Sequence, residues 1–517
     1  MPQIDGFVKA NQDRFLSELE AFLRIPSVST LPERRADMVR AAEFVVSQLR
    51  SAGLENAELI PTARHPLVYA DWLHAPGKPT VLCYGHYDVQ PVEPLELWDH
   101  PPFEPVVHDG NIYARGASDD KGQMMTHIKA IEALKVTTGG LPVNVKFLVE
   151  GEEEVGGTPF QKYVERYREK LKADVALVSD TTLWDEETPA ICLGLRGLIY
   201  MQVQAQGPNR DLHSGLFGGV AQNAVFGLIQ LLAKAKDENG KLRIPGAYDD
   251  IVPPSALEQR SWTSIAASTR DQLRAYLGIE APEDEPAFSW LNRMWAEPSM
   301  DVHGVSGRRF RTTKKPTRDK PLLVEFLGIR CGYTGPGMKT VISSRATAKL
   351  SFRLAPGQDP TKMIRGFRQF VEDNTPKGIS TNVQVLTASP AMTVDPDHPA
   401  IRVAAQALEN VFGRPVVYVR SGGSIPIVAG FSEHLGIPSV LMGFGLASDR
   451  LHSPNEKFSL RSFRLGILAV AAFLERYGEM NGRVGFTQSK LTTRSTSTGE
   501  ELPASRVTTR RERGGPR

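Results

Sequence analysis

The sequence predicts an α/β fold: a doubly wound, mostly parallel sheet with an inserted α+β domain of ferredoxin-like pattern. Short apolar runs alternate with helical patterns up to residue 180 and again after Pro396, which is the order of a parallel sheet with crossover helices. Between these parts, residues 198–206 alternate apolar and polar side chains, as a strand with one exposed face does. A chain of 517 residues is also too long for one ordinary core.

The first part of the chain supplies most of the predicted main sheet. The run 81–84 is apolar and is bounded by Pro79 and Gly85, which is typical of a short buried strand. Helical spacing and strand-like runs give the remaining elements. We predict helices over 5–24, 36–51, 122–136 and 159–171, and strands over 68–73, 80–84, 112–114, 143–150 and 173–180.

The middle and last parts complete two domains. Residues 240–320 are rich in Pro, Asp, Arg and Trp with weak periodicity, so we expect an irregular loop region there. In the rest of the insertion we predict strands over 198–206, 347–354 and 381–386 and helices over 220–236 and 360–373. The domain of the main sheet resumes with strands over 416–420 and 438–445 and helices over 399–411 and 459–477. The expected domain boundaries are 1–193 and 389–480 for the domain of the main sheet, 194–388 for the insertion and 481–517 for a disordered basic tail.

Composition narrows the class of protein. The chain is 41% hydrophobic and 23% charged, and its net charge of +2 divides into +5 for the tail and −3 for residues 1–480. Nucleic acid is therefore not an expected partner. Cys83, Cys192 and Cys331 are too few and too far apart for a disulfide framework. The first residues lack a signal-peptide pattern and no run reaches about 18 apolar residues, so we expect a cytoplasmic protein that does not bind membranes.

Ligand-type side chains follow the predicted strands, and the expected edge cluster consists of His86, Asp119, Glu153, Glu154, Asp180 and His452. Strand carboxyl ends are where an open α/β sheet places its ligands. So many carboxylates would repel one another unless cations were present, and a nitrogen and oxygen set suits hard or borderline divalent metals. A carboxylate that binds no metal could take a proton from water. On spacing alone, a cluster of charged loops remains the alternative.

The motifs G-H-Y-D-V-Q, R-G-A-S-D-D-K-G, E-G-E-E-E-V-G, V-S-D, D-L-H-S-G, R-S-G-G-S-I-P and L-H-S-P-N-E-K occur in this order. Together they resemble the M20 metallopeptidases over residues 5–480, and within that family the cytosolic non-specific dipeptidases and carnosinases. The resemblance implies two divalent ions per subunit, with Zn²⁺ as first choice and Mn²⁺ or Co²⁺ as alternatives. By position, His86 and Asp180 would bind one ion, Glu154 and His452 the other, and Asp119 both.

The resemblance also implies roles for residues beyond the metal ligands. Glu153 would be the general base, and Asp88 would orient His86. The insertion would be a lid and dimerisation domain of a homodimer, in which His213 reaches the substrate oxyanion of the partner subunit. Arg353 would bind the substrate carboxylate, and the Asp119–Asp120 peptide would be cis. Further substrate contacts are implied for Thr340, His398, Gly423 and Ser424.

Several assignments have alternatives. Three consecutive glutamates allow the pair Glu152/Glu153 in place of Glu153/Glu154, and Asp120 neighbours the expected bridging residue. His398 could cap a helix, and Arg353 could form an internal ion pair.

The expected activity is hydrolysis of dipeptides by metal-activated water. A deacylase of N-acyl amino acids or a carboxypeptidase with the same metal core is the alternative within enzymes. Outside enzymes, the alternative is a non-catalytic metal-binding protein, although no base or ligand is missing from the motifs.

Overall fold

The structure, a computed structural model, describes residues 1–155, 158–277, 286–306, 329–330, 340–423 and 425–480. The helices are α1 (Pro2–Ala10), α2 (Gln12–Leu23), α3 (Arg35–Ser51), α4 (Lys121–Thr138), α5 (Thr158–Arg166), α6 (Arg168–Leu171), α7 (Ser214–Phe217), α8 (Ala224–Ala233), α9 (Ala256–Leu277), α10 (Ala287–Trp295), α11 (Pro360–Asn374), α12 (Pro399–Phe412), α13 (Pro426–Gly430) and α14 (Leu460–Glu479).

The strands are β1 (Glu55–Ile60), β2 (Leu67–Trp72), β3 (Thr80–His86), β4 (Val106–His108), β5 (Asn111–Tyr113), β6 (Asn144–Glu150), β7 (Val175–Val178), β8 (Ala190–Leu195), β9 (Gly197–Gln206), β10 (Leu212–His213), β11 (Ser299–Ser306), β12 (Ile329–Arg330), β13 (Val341–Ile342), β14 (Arg345–Leu354), β15 (Ser380–Ser389), β16 (Met392–Thr393), β17 (Val417–Ser421), β18 (Ser439–Leu441) and β19 (Lys457–Ser459).

The main sheet is parallel at its centre. Strands β6, β3, β7 and β18 lie side by side in parallel, β1 and β2 add an antiparallel edge, and β8 pairs antiparallel with β18 and parallel with β17. Every residue of β3 after Thr80 is buried. A strand covered on both faces needs apolar or small residues at consecutive positions, which explains its unbroken apolar sequence.

Helices cover both faces of this sheet, so the predicted doubly wound α/β fold is confirmed. Consecutive strand residues point to opposite faces. Cys83 and Phe147 therefore belong to one apolar core with α1–α4, α12 and α14, whereas Tyr84 and Leu148 belong to another with α5, α9, α10 and α13.

A second sheet forms the core of the insertion, in the order β12-β11-β14-β9-β15. Strands β9, β11, β14 and β15 are antiparallel to their neighbours in this group. Side chains such as Met201, Leu350 and Phe352 pack on one face against α8 and α11, and the opposite face is more polar. This agrees with the predicted small sheet with helices on one face.

The irregular region predicted for 240–320 is wrong where the structure describes it, because α9, α10 and β11 lie there. In the part of α9 whose side chains are described, the buried stripe has helical spacing, but three of its five members are polar: Glu258, Ser261, Trp262, Ile265 and Thr269. Arg420 pairs with Glu258, and the Ser261 hydroxyl accepts a hydrogen bond from the Tyr418 N–H. Glu258 and Ser261 thus have partners in the main domain, and a helix with such a polar buried stripe gives a weak signal in hydrophobic periodicity.

Two predicted helices are divided. The helix expected over 5–24 is interrupted at Asn11, whose side chain donates a hydrogen bond to the Phe7 carbonyl, so its amide competes with the helical backbone. The helix expected over 159–171 divides at Tyr167. The tail 481–517 lies outside the described residues. In the part of the chain that is described, no helix has the length and apolar character required to cross a membrane.

Candidate metal centre

Three neighbouring strands bring ligand-type side chains to one edge of the main sheet. His86 is the last residue of β3, Glu150 is the last residue of β6, and Asp180 follows β7 by two residues. The helical turn Glu153–Val155 begins three residues after the end of β6, and His452 lies in the loop between β18 and β19. Because the strands are parallel, their carboxyl ends meet at this edge.

Asp119 lies between the two histidines, just before α4. Its Oδ1 is 3.1 Å from His86 Nε2, and its Oδ2 is 2.9 Å from His452 Nε2. His452 Nε2 is also 3.4 Å from Glu154 Oε2. Asp119 thus presents one oxygen to each side, which is the geometry of a carboxylate that bridges two metal ions.

Two overlapping groups of side chains could each hold an ion. His86, Asp119 and Asp180 form one group, and Asp119, Glu154 and His452 form the other; within each group the ligand atoms lie within 4.8 Å of one another. Asp119 belongs to both groups. The five residues are those to which the family resemblance assigned metal binding, and they supply nitrogen and oxygen ligands without a thiolate.

The buried carboxylates at this edge of the sheet need cations to offset their negative charge. Burial, together with neighbouring carboxylates, raises the pKa of Glu153, Glu154 and Asp180 well above the usual range. A hydrogen bond to Asp119 raises the pKa of His452 to about 9. Buried like charges are costly without a counter-ion, so the donor set fits two divalent cations.

Asp88 is fully buried and fixes two parts of the site. His86 Nδ1 is 3.0 Å from the Asp88 carbonyl oxygen and 3.4 Å from its carboxylate, which leaves Nε2 directed at Asp119. The Asp88 carboxylate also accepts hydrogen bonds from the backbone N–H groups of Glu153 (3.3 Å) and Glu154 (3.2 Å). It therefore holds both the imidazole and the turn with the two glutamates.

The geometry favours one register of the consecutive carboxylates. Glu152 points away from the cluster, since its carboxylate accepts a hydrogen bond from the His65 N–H at 3.2 Å. Asp120 accepts from the His86 N–H at 3.1 Å and belongs to neither ligand group. The Asp119–Asp120 peptide is cis, so this prediction is confirmed.

Sequence reasoning missed Glu456, a fully buried carboxylate in the motif L-H-S-P-N-E-K. It accepts hydrogen bonds from the Arg115 guanidinium (2.7 Å) and from three backbone N–H groups, those of Gly116, Ser118 and Asp119, at 2.9–3.1 Å. Glu456 thus fixes the loop that carries Asp119 to the segment that carries His452. The signal available in the sequence was Arg115, a cationic residue in the motif that also contains Asp119.

The profile of peptidase family M20/M25/M40 matches residues 82–476, well over half of the chain. The chain belongs to this peptidase family. It is 30% identical to a Cys-Gly metallodipeptidase of Candida albicans over 486 residues, 90% of this chain and 95% of that protein. It is 28% identical to the human Beta-Ala-His dipeptidase, covering 93% of both chains. The solved structure of a dipeptidase of Saccharomyces cerevisiae matches with a TM-score of 0.78 and 28% identity, over 93% of this chain and 98% of that one.

In this M20 peptidase, two of the predicted substrate residues lie together on the insertion, away from the strand ends. His213 pairs with Val341 in the ladder of β10 and β13, and the Ser214 N–H donates to the Thr340 carbonyl. His213 is exposed, and its Nδ1 accepts a hydrogen bond from the Gly215 N–H at 3.0 Å. It belongs to neither ligand group among the described residues.

Arg353 lies on β14 and is half-buried, and burial lowers its pKa although the charge of Asp301 opposes this. His398 caps α12, because its Nδ1 accepts a hydrogen bond from the Ala400 N–H at 3.2 Å. The Gly423 carbonyl accepts from the Arg196 N–H at 3.2 Å. Ser424 lies outside the described residues. The substrate-binding roles of these four residues stay predictions.

Proposed function

We propose that this M20 peptidase is a dipeptidase that uses two divalent ions. The observation that carries the proposal is the position of Asp119, shared between two ligand groups at the carboxyl edge of the sheet. His86 and Asp180 would complete one ion site, and Glu154 and His452 the other. Similarity to metallodipeptidases over about nine-tenths of the chain supports dipeptides as the substrate class.

Bound divalent ions would polarise the scissile carbonyl and lower the pKa of the attacking water. Glu153 is close enough to Asp180 and Asp119 for their charges to raise its pKa, yet it belongs to neither ligand group. It is therefore suited to take a proton from the water and to deliver it to the leaving amine nitrogen. Arg353 would bind the substrate carboxylate through its planar guanidinium.

Substitution of the adjacent glutamates tests this division of roles. Glu153→Gln should retain both ions while kcat falls by at least about 100-fold, the usual scale for loss of a general base. Glu154→Gln, the matched control one residue away, should instead weaken the binding of one ion. Metal content by mass spectrometry and turnover of a dipeptide are the two measurements. Loss of metal from Glu153→Gln, with turnover restored by added metal, would contradict the assignment.

A substrate panel separates the proposed dipeptidase from its relatives. Dipeptides, tripeptides and N-acyl amino acids would be assayed with Zn²⁺, Mn²⁺ and Co²⁺ added separately. We expect dipeptides to be preferred and Zn²⁺ to be the ion of the native enzyme, since imidazole and carboxylate ligands suit it. A preference for N-acyl amino acids would instead identify a deacylase.

We also propose that the enzyme is a homodimer. The segment after His213 exposes several large apolar side chains, with exposed fractions of 42–83%: Leu216, Phe217, Val220, Phe226 and Ile229. Such a patch favours a protein partner, and a second copy would place its own His213 near the other subunit's ligands. A cytoplasmic location agrees with Cys83 and Cys192, which are buried free thiols.

A further inference from the structure

A cleft of about 960 Å³ opens beside Glu154, between the catalytic domain and the insertion. Arg35 and Arg64 line it from the catalytic domain, and Lys349 and Tyr200 line it from the second sheet. The cleft thus combines three cationic side chains with direct access to a proposed metal ligand. Its volume exceeds what the backbone of a dipeptide needs, so it has space for a substrate side chain.

The two cations that the catalytic domain contributes, Arg35 and Arg64, are weakly compensated. Arg35 is exposed and, within the described residues, has no ion pair. The Arg64 side chain is 63% exposed, and its Nη1 is 3.9 Å from Glu152 Oε2, too far for a hydrogen bond. Glu154 is the one carboxylate among the described residues that line the cleft, and the proposed function assigns it to a metal ion. Arg35 and Arg64 therefore leave positive charge on the catalytic-domain side of the cleft.

Buried polar atoms in the wall of the cleft also lack partners. His65 is only 9% exposed; its Nε2 lies 3.1 Å from the Ser29 carbonyl oxygen, whereas its Nδ1 has no hydrogen-bond partner. The Ser29 hydroxyl oxygen is likewise buried without a partner. Both residues line the cleft. Because Nε2 donates to a carbonyl oxygen, His65 Nδ1 is an acceptor that the amine of a substrate would satisfy, whereas the Ser29 hydroxyl can donate to a carboxylate.

We propose that this cleft binds a carboxylate on the acyl side of the scissile amide. The inference rests on the proposed hydrolysis of dipeptides and names their class: those with aspartate or glutamate at the amino-terminal position. Lys349 and Arg353 lie on the same face of β14, four residues or about 13 Å apart. Two extended residues span about 7 Å, so a substrate held at Arg353 by its terminal carboxylate can extend an acidic side chain to Lys349 and Arg35.

Matched substrates test the inference. Glutamyl-alanine and glutaminyl-alanine differ in one charge, and N-glutaryl-alanine keeps the charge but lacks the amine, which distinguishes a dipeptide from an anionic N-acyl substrate. We expect kcat/KM for glutamyl-alanine to exceed that for glutaminyl-alanine by about tenfold, the size of one good charged contact. Arg35→Gln and Lys349→Gln should each bring this ratio towards one.

Arg34→Gln is the matched control. Arg34 is adjacent in sequence, but its Nη1 pairs with Asp37 at 3.2 Å, and it does not line the cleft. The ratio should stay as in the unmodified enzyme. The metal-loaded Glu153→Gln variant allows binding to be measured without hydrolysis of the substrate. Calorimetry should show about tenfold tighter binding of glutamyl-alanine than of glutaminyl-alanine to this variant.

The outcomes separate the two proposals. Equal kcat/KM and equal binding for the two dipeptides would overturn the acidic subsite and leave the dipeptidase intact. Hydrolysis of N-glutaryl-alanine alone would support the subsite and overturn the dipeptidase. No turnover of any of the three with any added metal would overturn both.

Discussion

Glu456 shows how single hydrogen bonds hold the metal centre together. Its carboxylate accepts hydrogen bonds from the Arg115 guanidinium and from three backbone N–H groups of the loop that follows Arg115. The last of these N–H groups belongs to Asp119. A carboxylate is the one side chain that can accept all four donors in this space. The position of Asp119, which belongs to both candidate ligand groups, therefore depends on a residue that lies four positions after His452.

Glu456→Gln is expected to lower metal affinity by about 10–100-fold, the usual cost of losing a group that orients a ligand. An amide has one acceptor oxygen, so it cannot serve the N–H groups and the guanidinium together. Metal titration of the apoenzyme measures the effect, and Glu456→Asp should recover part of it.

Glu258→Gln is the control for burial alone. Glu258 is also a buried carboxylate paired with an arginine, because Arg420 Nε lies 2.6 Å from its Oε1. This change should reduce thermal stability with little effect on metal affinity. Equal losses of metal affinity in both variants would show that Glu456 acts only on overall stability.

At the scale of residues, the sequence predicted the charged side chains that the structure brings together at the sheet edge, and it missed Glu456, which holds the loop of Asp119 in place. His86, Asp119 and Asp180 stand out because ligand-type residues follow apolar strands. Glu456 has no such context, and its role depends on four donors that come from a loop more than 300 residues earlier. The second task of Asp88, holding the turn at Glu153, likewise depends on a contact between distant segments.

At the scale of elements, the sequence predicted those in which apolar residues alone mark one face. Strand β3 is buried after Thr80, and helix α4 carries an apolar stripe from Met125 to Leu134, although it also buries polar side chains. Helix α9 was missed because its described buried stripe has few apolar members and buries Glu258 and Ser261 against partners in β17. Apolar periodicity understates a helix whose buried stripe is largely polar.

Helix α4 contains a histidine that should make stability depend on pH. His127 is fully buried, and burial lowers its pKa to about 3. Its Nε2 lies 2.6 Å from the Ser179 hydroxyl, which itself donates to the Met442 carbonyl, so Nε2 is the protonated nitrogen and Nδ1 has no partner.

The folded chain therefore keeps His127 neutral at pH values where the unfolded chain protonates it, below about 6.5. Its contribution to stability is complete above pH 6.5 and is lost as the pH falls towards 3. In His127→Gln, the free energy of unfolding should fall less steeply over this range, by up to about 1.4 kcal/mol per pH unit. Urea unfolding at several pH values measures the slope.

The exposed His108 offers the comparison, since its side chain is 68% accessible. His108→Gln should leave the pH dependence as it is in the unmodified protein. If His127→Gln shows the same slope as well, the neutral buried imidazole is not what makes the fold sensitive to acid.

At the scale of the whole molecule, His213 and the metal ligands lie on different domains. His213 is exposed on the insertion, and the apolar side chains of Leu216 and Val220 that follow it are 75% and 83% exposed. A site shared between two subunits would account for both observations. The apolar segment would form part of a dimer interface, and this interface would bring His213 to the substrate of the other subunit.

Mixing two inactive variants tests this arrangement. In a heterodimer of His213→Ala and Glu153→Gln, a shared site would have either both defects or neither, so one site of two would be intact. After dissociation and random reassociation of equal amounts, half of the dimers are heterodimers, and activity should return to about a quarter of the unmodified level. If His213 served its own chain, every site would keep one defect.

The interface itself is tested by Val220→Glu, which places a charge in the exposed apolar segment. This variant should be monomeric by sedimentation and should lose activity together with dimerisation, because each site would lack the partner's histidine. Val136→Glu, at a position that is 63% exposed on α4, adds the same charge elsewhere and should leave both properties unchanged. Full activity in a Val220→Glu monomer, or no recovery in mixtures where heterodimers demonstrably form, would mean that His213 acts within its own chain.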